Sequence, residues 1–418
     1  MTEPVAGATM FGRCFAPPQM SETDKTNPEP ARTNGFEHRF NKDHPHPVIV
    51  ETRPLATDSP GSSLALTCLH FGTPGARPKA YLQAGLHADE MPGVLTLLHL
   101  VPLLAAAESE GRLTGEVLVV PLANPIGFAQ WVQGKPQGRQ DLGTMRNFNR
   151  DYPDLAALAG DDLQGRLTGD AAQNVAMIRA AFGRALAAAP APDLGAALRL
   201  ALLGWSHDAD HVLDIHCDHH AILHLYTSPA RPADTVALCR AMGAELALIE
   251  EISGGHAFDE AHSAPWVLLR RRFGDRFPIP AACFATTLEL RGQMDVNDAT
   301  AARDAAGLMD YLTAVGVVSG TAALPHPDAA HLPLSGALEV FAPQGGVVAW
   351  SARPGDTVTE GQVLGHVTDP MTRLRLPVTA PCAGLLFRIE LWPSCLRGQG
   401  LAHVAGAEPR RSGDLLSD

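Results

Sequence analysis

The sequence predicts an α/β protein in which a mixed sheet flanked by helices is followed by a smaller all-β domain. Two observations support this. Strand-like and helix-like stretches alternate from Val48 to about residue 320, and beyond it short apolar runs are separated by glycine and proline. A length of 418 residues allows two or three domains. We therefore expect a catalytic domain over residues 47–320 and a β domain over residues 330–405.

The larger domain contains short apolar runs that are typical of buried strands. Predicted strands cover Lys79–Ala84, Glu116–Pro121, His211–His216, Ala221–Thr227 and Ala282–Leu290. Amphipathic stretches predict helices over Pro92–Ala107, Ala171–Ala189, Leu194–Leu203, Ala233–Ile249 and Asp298–Val315. In sheets of this kind, ligands bind beyond the carboxyl ends of the strands. Polar residues at those ends are therefore the candidates for a functional site.

The C-terminal region contains Arg353-Pro354-Gly355-Asp356-Thr357-Val358 and, later, Thr379-Ala380-Pro381-Cys382-Ala383-Gly384, which resemble the lipoyl/biotinyl-type barrel-sandwich fold. A carrier domain of that kind needs a lysine at its exposed hairpin. This chain has Asp369-Pro370-Met371-Thr372 there, and its last lysine is Lys135. We expect a structural module, a lid or an oligomer contact rather than a carrier.

Both ends of the chain are predicted to be flexible, residues 1–46 as a polar arm and residues 406–418 as a tail. A net charge of −13 argues against a nucleic-acid partner, which needs a basic surface. Seven scattered cysteines without a Cys-x-x-Cys pair indicate reduced thiols rather than a disulfide framework. Neither a signal peptide nor a long apolar stretch is recognised, so we expect a cytoplasmic protein without a membrane partner.

Three side chains have the spacing of a catalytic metal site. His87 and Glu90 lie three residues apart after a predicted strand, and His216 ends another strand. Two imidazoles and a carboxylate leave one coordination position open, as in catalytic zinc sites. Bound zinc lowers the pKa of water and polarises a carbonyl group, which makes amide hydrolysis feasible. A second metal held by the histidines around His216 is disfavoured, because such ligands need convergent geometry.

Two carboxylates accompany this set. The strand period of two puts Asp214 on the same face as His216, so Asp214 could fix the tautomer of the imidazole. Glu289 ends an apolar strand and is not needed as a metal ligand. It is the candidate general base, although a solvated strand end is the alternative interpretation.

The loop before residue 153 supplies candidate substrate-binding groups. Arginine binds carboxylates through two parallel hydrogen bonds, so Asn149 and Arg150 suit a substrate carboxylate. A second arginine would stabilise the developing oxyanion. Arg139 and Arg146 lie upstream of this pair. A salt bridge between Arg150 and Asp151 within the loop is the structural alternative.

These motifs together resemble the succinylglutamate desuccinylase/aspartoacylase family of the zinc carboxypeptidase superfamily. The resemblance is carried, in this order, by Gly85-Leu86-His87-Ala88-Asp89-Glu90, Asn124-Pro125-Ile126-Gly127, Asn147-Phe148-Asn149-Arg150, Asp214-Ile215-His216 and Leu288-Glu289-Leu290-Arg291-Gly292. It implies a zinc-carboxypeptidase-like sheet, with His87, Glu90 and His216 as ligands of one Zn²⁺ per chain. It also implies Glu289 as the base, Asn149 and Arg150 as carboxylate ligands, and an upstream arginine at the scissile carbonyl oxygen. For that arginine, Arg139 is preferred over Arg146, because a loop that reaches across the zinc from Arg150 needs the longer spacing.

The expected activity is therefore that of a zinc-dependent amidohydrolase acting on a small N-acyl amino acid or a related amide that bears a carboxylate. One alternative is a metallocarboxypeptidase that acts on peptide C-termini. Another is a non-catalytic, zinc-containing protein that binds a ligand, which the presence of a base disfavours. The expected partner is a small molecule, and a homo-oligomer is possible.

Overall fold

The computed structural model of the chain describes residues 48–55 and 60–416, so the predicted arm of residues 1–46 lies outside the described part. The strands of its first part are β1 (Ile49–Leu55), β2 (Leu64–Gly72), β3 (Lys79–Ala84), β4 (Glu116–Val120), β5 (Trp131–Val132), β6 (Lys135–Pro136), β7 (His211–Asp218), β8 (His220–Ala221), β9 (His224–Thr227), β10 (Leu246–Ile249), β11 (Phe284–Gly292) and β12 (Ala330–Pro333).

The helices accompany these strands. They are α1 (Met91–Ser109), α2 (Pro125–Phe128), α3 (Leu155–Gly160), α4 (Ala171–Ala188), α5 (Leu194–Ser206), α6 (Pro232–Met242), α7 (Glu260–Phe273) and α8 (Asp298–Ala314). Several begin with a side chain that accepts a hydrogen bond from the first turn, as Asp170, Asp193 and Asn297 do. Local capping thus fixes where these helices start.

Nine strands form one mixed sheet in the order β1-β2-β4-β3-β7-β11-β9-β10-β12. Its central strands β4, β3, β7 and β11 run parallel, whereas β1, β2 and β9 pair antiparallel with a neighbour. The predicted mixed α/β fold is confirmed. The parallel centre brings the carboxyl ends of β3, β7 and β11 to the same edge of the sheet.

Helices cover both faces of the sheet, as alternate residues of β7 show. Val212 belongs to a core shared with α4, α5 and α7, whereas Ile215 contacts Gly93 of α1 on the opposite face. Among the described helices, α1 is the one whose length and apolar composition would be enough to cross a membrane. Half of its most apolar stretch is buried in the fold.

One predicted helix is wrong at its C-terminal half. The stretch Ala233–Ile249 was expected to be a single helix, but α6 ends at Met242 and β10 starts at Leu246. Gly243 ends the helix with a φ of 75°, a left-handed conformation that glycine adopts without steric cost. The chain then turns back into the sheet, where β10 pairs with β9.

The last part of the chain consists of short antiparallel strands. They are β13 (Ala337–Phe341), β14 (Gly346–Trp350), β15 (Thr357–Val358), β16 (Val363–Thr368), β17 (Arg375–Thr379), β18 (Gly384–Ile389), β19 (Ser394–Cys395) and β20 (Gly400–Ala405). One sheet has the order β13-β20-β18-β15 and the other β17-β16-β14-β19. The apolar cluster that includes Leu364, Val367 and Leu386 packs between them. The assignment to a barrel-sandwich fold stays a prediction.

The antiparallel part is joined to the large sheet by specific contacts. Strand β8 pairs with β18, and Arg388 of β18 forms an ion pair of 2.7 Å with Asp218 at the end of β7. Residues 410–416, inside the predicted flexible tail, pack against this junction, where Leu415 is buried. The junction lies beside the carboxyl ends of the central strands.

Candidate metal centre

His87, Glu90 and His216 converge at the edge of the sheet where the parallel strands end. His87 Nδ1 lies 2.9 Å from Glu90 Oε1, and His216 Nδ1 lies 2.8 Å from Glu90 Oε2. One donor atom from each of the three side chains lies within 4.8 Å of the other two. Within the described residues, this is the single group of three or more such side chains that could hold a metal ion.

The far nitrogens of the two imidazoles contact oxygen acceptors. His87 Nε2 lies 2.9 Å from Asn147 Oδ1, and His216 Nε2 lies 2.9 Å from Asp214 Oδ2. Asn147 Oδ1 is placed to accept a hydrogen bond from His87 Nε2, and Asp214 Oδ2 lies within charge-pairing distance of His216 Nε2. Gln83 Nε2 in turn donates to Asp214 Oδ1 at 2.9 Å. An oxygen beside each Nε2 favours the tautomer that metal coordination through Nδ1 requires.

The electrostatics of the three residues also suit a cation. Burial raises the pKa of Glu90, but the neighbouring His87 and His216 outweigh it and hold this pKa well below its usual value. Glu90 is therefore an ionised carboxylate between two imidazoles. The two nitrogens and one carboxylate, all buried, form a donor set that fits a divalent ion such as zinc.

Glu289 lies beside this group because β7 and β11 run parallel. In their register Glu289 is paired with His216, so the two residues occupy neighbouring strands about 4.8 Å apart. Burial, together with the negative charges of Glu90 and Asp218, raises the pKa of Glu289 well above its ordinary value. Its Oε2 atom is buried and has no hydrogen-bond partner among the described residues. A group that supplies a proton or a positive charge is therefore expected there.

Arg139 reaches the metal centre through a close approach of two loops. Gly138 O accepts a hydrogen bond from Ala88 N at 3.1 Å, and a Cβ atom at Gly138 would lie 2.2 Å from Asp89 N. Only glycine permits this approach. Arg139 Nη1 consequently lies 3.4 Å from His87 Nδ1, and its side chain remains about half exposed. The guanidinium is near the ligands without being enclosed by them.

The two other arginines of the loop point in different directions. Arg146 Nη1 lies 3.6 Å from Asp193 Oδ2, and Arg146 lines a separate small cavity, so the structure does not bring it to the metal centre. Arg150 lines the same cavity as the metal ligands. It donates from Nη1 to Asn149 O at 2.7 Å and from Nη2 to Leu416 O at 2.6 Å. Asp151, the partner of Arg150 in the alternative interpretation of this loop, has its Oδ2 atom 4.0 Å from Arg199 Nη2.

Asn149 is buried next to His216. Its Oδ1 accepts a hydrogen bond from Phe258 N at 2.8 Å, while its Nδ2 lies 3.5 Å from His216 Nε2. The side-chain oxygen of Asn149 is thus already hydrogen-bonded to the backbone. The amide nitrogen is the part that faces the centre.

A cavity of about 390 Å³ opens over these residues. The metal ligands, Glu289, Arg139, Asn149 and Arg150 line one side. The antiparallel sheets and the C-terminal segment line the other, through Phe387, Arg388 and Leu416 among others. The volume is that of a small-molecule site.

Comparison with known proteins shows which chains this one is similar to. Residues 76–186 match the model of the succinylglutamate desuccinylase/aspartoacylase catalytic domain. The putative succinylglutamate desuccinylase/aspartoacylase structures from Shewanella frigidimarina NCIMB 400 and Shewanella amazonensis SB2B have TM-scores of 0.74 and 0.75 at 25% and 26% identity. Each alignment covers 86% of this chain, with 97% and 98% of the other chain. The resemblance to the succinylglutamate desuccinylase/aspartoacylase family is confirmed.

More distant structures share the fold. The product-bound ectoine utilization protein EutE (DoeB) from Ruegeria pomeroyi is 19% identical, with a TM-score of 0.59 over 85% of this chain and 94% of that chain. No curated protein sequence matches the chain. The names in the succinylglutamate desuccinylase/aspartoacylase family describe deacylases, and the similarity supports a hydrolytic enzyme.

Sequence reasoning missed two contributions to the site. Asn147 contacts His87 Nε2, yet its position within the family motif gave no reason to assign it a role different from that of Asn149. The cavity wall from residues beyond 330 carries no local sequence signal, because it forms only when the antiparallel sheets dock on β7. The family motifs alone identify the side of the cavity formed by the large sheet.

Proposed function

We propose that the protein is a zinc-dependent amidohydrolase that removes the acyl group from a small N-acyl amino acid or a related amide bearing a carboxylate. The observation that carries this proposal is the register of β7 and β11. It places a carboxylate that is not needed as a ligand, Glu289, next to His216 of a buried His-Glu-His set. A binding protein would need the ligands but not this base.

When bound by His87, Glu90 and His216, zinc would supply a Lewis acid that polarises the amide carbonyl and lowers the pKa of water. The positive charge would also lower the pKa of Glu289, which burial and neighbouring carboxylates raise. Glu289 would then be ionised at neutral pH. An ionised carboxylate at this place can act as a general base.

Each of the remaining side chains has its own role in the proposed reaction. Arg150 and Asn149 bind the carboxylate of the substrate, and the Arg139 guanidinium stabilises the oxyanion that develops on the amide carbonyl. Glu289 takes a proton from the attacking water as the new carbon–oxygen bond forms. It returns this proton to the amide nitrogen as the carbon–nitrogen bond breaks, which releases an amine and a carboxylate.

The size of the cavity supports a small substrate. A volume of about 390 Å³, bounded on one side by Leu415 and Leu416, suits a molecule of amino-acid size better than a peptide chain. Release of C-terminal residues from peptides is therefore expected to be much slower than hydrolysis of N-acyl amino acids. Comparing the two substrate types at equal concentration measures this difference.

The proposal is tested by metal analysis and a substrate screen on the purified protein. We expect about one zinc per chain, and release of free amine from members of a panel of N-acetyl, N-formyl and N-succinyl amino acids. His87→Ala and His216→Ala should each lose the metal and the activity. The matched control His99→Ala removes a histidine that pairs with Asp298 outside the site, and should keep both. Full activity in metal-free protein would contradict the proposal.

A further inference from the structure

The C-terminal segment, defined here as residues 410–416, forms part of the cavity. Arg410 N and Arg411 N both donate to Ser335 O at 2.9 Å, and Leu415 N donates to Ser253 O at 2.8 Å. Arg411 Nη2 also donates to Leu415 O at 2.5 Å. Backbone bonds at both ends therefore anchor the segment, of which residues 410–414 are exposed and Leu415 is buried.

The segment touches the proposed carboxylate-binding residue directly. Leu416 O accepts a hydrogen bond of 2.6 Å from Arg150 Nη2. This contact fixes the direction of the guanidinium, because a charged donor bound to a carbonyl has a defined orientation. It also makes Leu416 an immediate neighbour of any carboxylate that Arg150 holds.

Apolar side chains form part of the cavity wall beside Leu416, next to Arg150 and Arg411. Leu415, Leu416, Leu248, Leu334 and Phe387 line the cavity and belong to one apolar cluster. All but Leu416 are buried, with exposed fractions of 5% or less. This cluster contains residues from β10, from the antiparallel sheets and from the C-terminal segment. A substrate group placed against this wall is removed from water, which favours an apolar group.

The arginines on this side of the cavity are engaged by other parts of the protein. Arg388 donates to Asp218 at 2.7 Å and to His403 at 3.0 Å, and it lies 3.6 Å from Glu390. Arg411 donates to the carbonyl oxygens of Leu415 and Ala337. Glu339 adds a further carboxylate to the lining. A second substrate carboxylate on this side of the cavity would lie near Asp218 and Glu339, whose negative charges oppose it.

We propose that Leu415 and Leu416 determine substrate specificity, selecting an amide in which an apolar group is bonded to the carbon that bears the carboxylate held by Arg150. This inference rests on the proposed function and narrows it to N-acyl derivatives of apolar amino acids. It differs from the acidic amino acids in the names of the related desuccinylases and aspartoacylases.

The test compares substrates that share one acyl group. For the purified zinc enzyme, kcat/KM is measured for N-acetyl derivatives of leucine, phenylalanine, aspartate and glutamate, and again with the acyl group that the screen finds best. We expect the apolar pair to exceed the acidic pair by roughly a hundredfold, since burying a charged group without a partner is costly. Leu416→Ala should reduce this preference by about tenfold, mainly through KM. Leu416→Arg should improve the acidic substrates.

Two controls separate specificity from damage to the fold. Leu396→Ala truncates an exposed leucine outside the cavity and should leave the preference unchanged. Leu416→Met keeps the apolar volume and should restore it, while melting temperatures report the stability of each variant. Hydrolysis with preference for aspartate or glutamate, or a preference that Leu416→Ala does not alter, overturns this inference and leaves the proposed function intact. Hydrolysis of none of these amides overturns this inference, and activity on no member of the wider panel overturns the proposed function as well.

Discussion

At the scale of single residues, a substitution of Glu289 best distinguishes the chemical step from the binding of metal and substrate. Its carboxylate is next to His216 across the strand pair but does not belong to the group of three that could hold a metal. We expect Glu289→Gln to keep the zinc and most of the substrate affinity while kcat falls by about a hundredfold or more, the usual contribution of a positioned base.

The measurement is steady-state kinetics together with zinc content. Glu339→Gln is the matched control, because Glu339 lines the same cavity on the side of the antiparallel sheets. It should change kcat little. Near wild-type turnover in Glu289→Gln would mean that another group takes the proton.

Asn147 supports a second prediction about a single side chain. Its Oδ1 lies 2.9 Å from His87 Nε2 and also accepts a hydrogen bond from Asn149 N at 2.9 Å. Removing this acceptor frees the imidazole to rotate and to change tautomer. Asn147→Ala should therefore weaken zinc affinity by roughly 10- to 100-fold, the usual effect of losing such a partner.

Competition with a chromophoric chelator measures that affinity. Asn147→Asp keeps an oxygen acceptor and should retain tighter binding than Asn147→Ala. Equal zinc affinity in the wild type and in Asn147→Ala would show that Asn147 does not orient His87.

The three residues of the candidate metal centre could be proposed from sequence because their chemistry is distinctive. Two histidines and a glutamate at strand ends are unusual unless they bind something, and the parallel sheet brings strand ends together. The choice between Arg139 and Arg146 could only be argued from spacing. The structure places Arg139 near His87 because Gly138 packs on the loop of Ala88, a long-range contact that spacing does not encode.

At the scale of elements, the strands at the centre of the sheet were predictable and the ends of helices less so. Strand β3 has the predicted bounds, because a short apolar run between polar residues is typical of a buried strand. The predicted helix over Ala233–Ile249 failed because its last residues are also good strand formers. Only pairing with β9 and β12 decides that they extend the sheet.

Helix α7 was not predicted, and it contains a buried histidine with a consequence for stability. His262 Nδ1 lies 2.7 Å from Phe258 O, and Nε2 lies 2.8 Å from Ser206 Oγ of α5. Burial lowers the pKa of His262 to about 4. Below pH 6.5 the unfolded chain binds a proton that the folded chain does not, so this residue makes stability fall as the pH drops from about 6.5 toward 4.

We expect His262 to account for on the order of 2 kcal/mol of the loss in unfolding free energy between pH 7.5 and pH 5. Urea unfolding of the wild type and of His262→Gln at both pH values measures this. The variant cannot titrate and should show a smaller loss, whereas His331→Gln, at an exposed position of β12, should behave as the wild type. The same pH dependence in wild type and His262→Gln would contradict the prediction.

At the scale of the whole molecule, the sequence indicated two kinds of structure but not how they meet. The glycine and proline pattern after residue 320 predicts short strands, and the structure has them. The pairing of β8 with β18 and the course of residues 410–416 join segments more than 150 residues apart, and no local pattern specifies such contacts. These are the contacts that complete the cavity.

The ion pair between Asp218 and Arg388 links the two parts of the molecule. Asp218 is buried, with 8% of its side chain exposed, and Arg388 Nη1 lies 2.7 Å from it. Replacing Arg388 by an apolar side chain would leave a buried carboxylate without its counter-ion at the junction of β7 and β18. Breaking such a pair from one side costs more than the pair contributes, because the remaining charge stays desolvated.

Arg388→Met should therefore lower the free energy of unfolding by roughly 3 kcal/mol in denaturant titrations. Arg353→Met is the matched control, since the Arg353 side chain is 86% exposed and lies 3.6 Å from Asp356. A surface pair of that kind contributes about 1 kcal/mol at most. Similar losses in the two variants would mean that water reaches Asp218 and that the junction depends mainly on the apolar cluster around Phe387 and Leu415. In that case Leu415→Ala should be the more destabilising change, which the same titration decides.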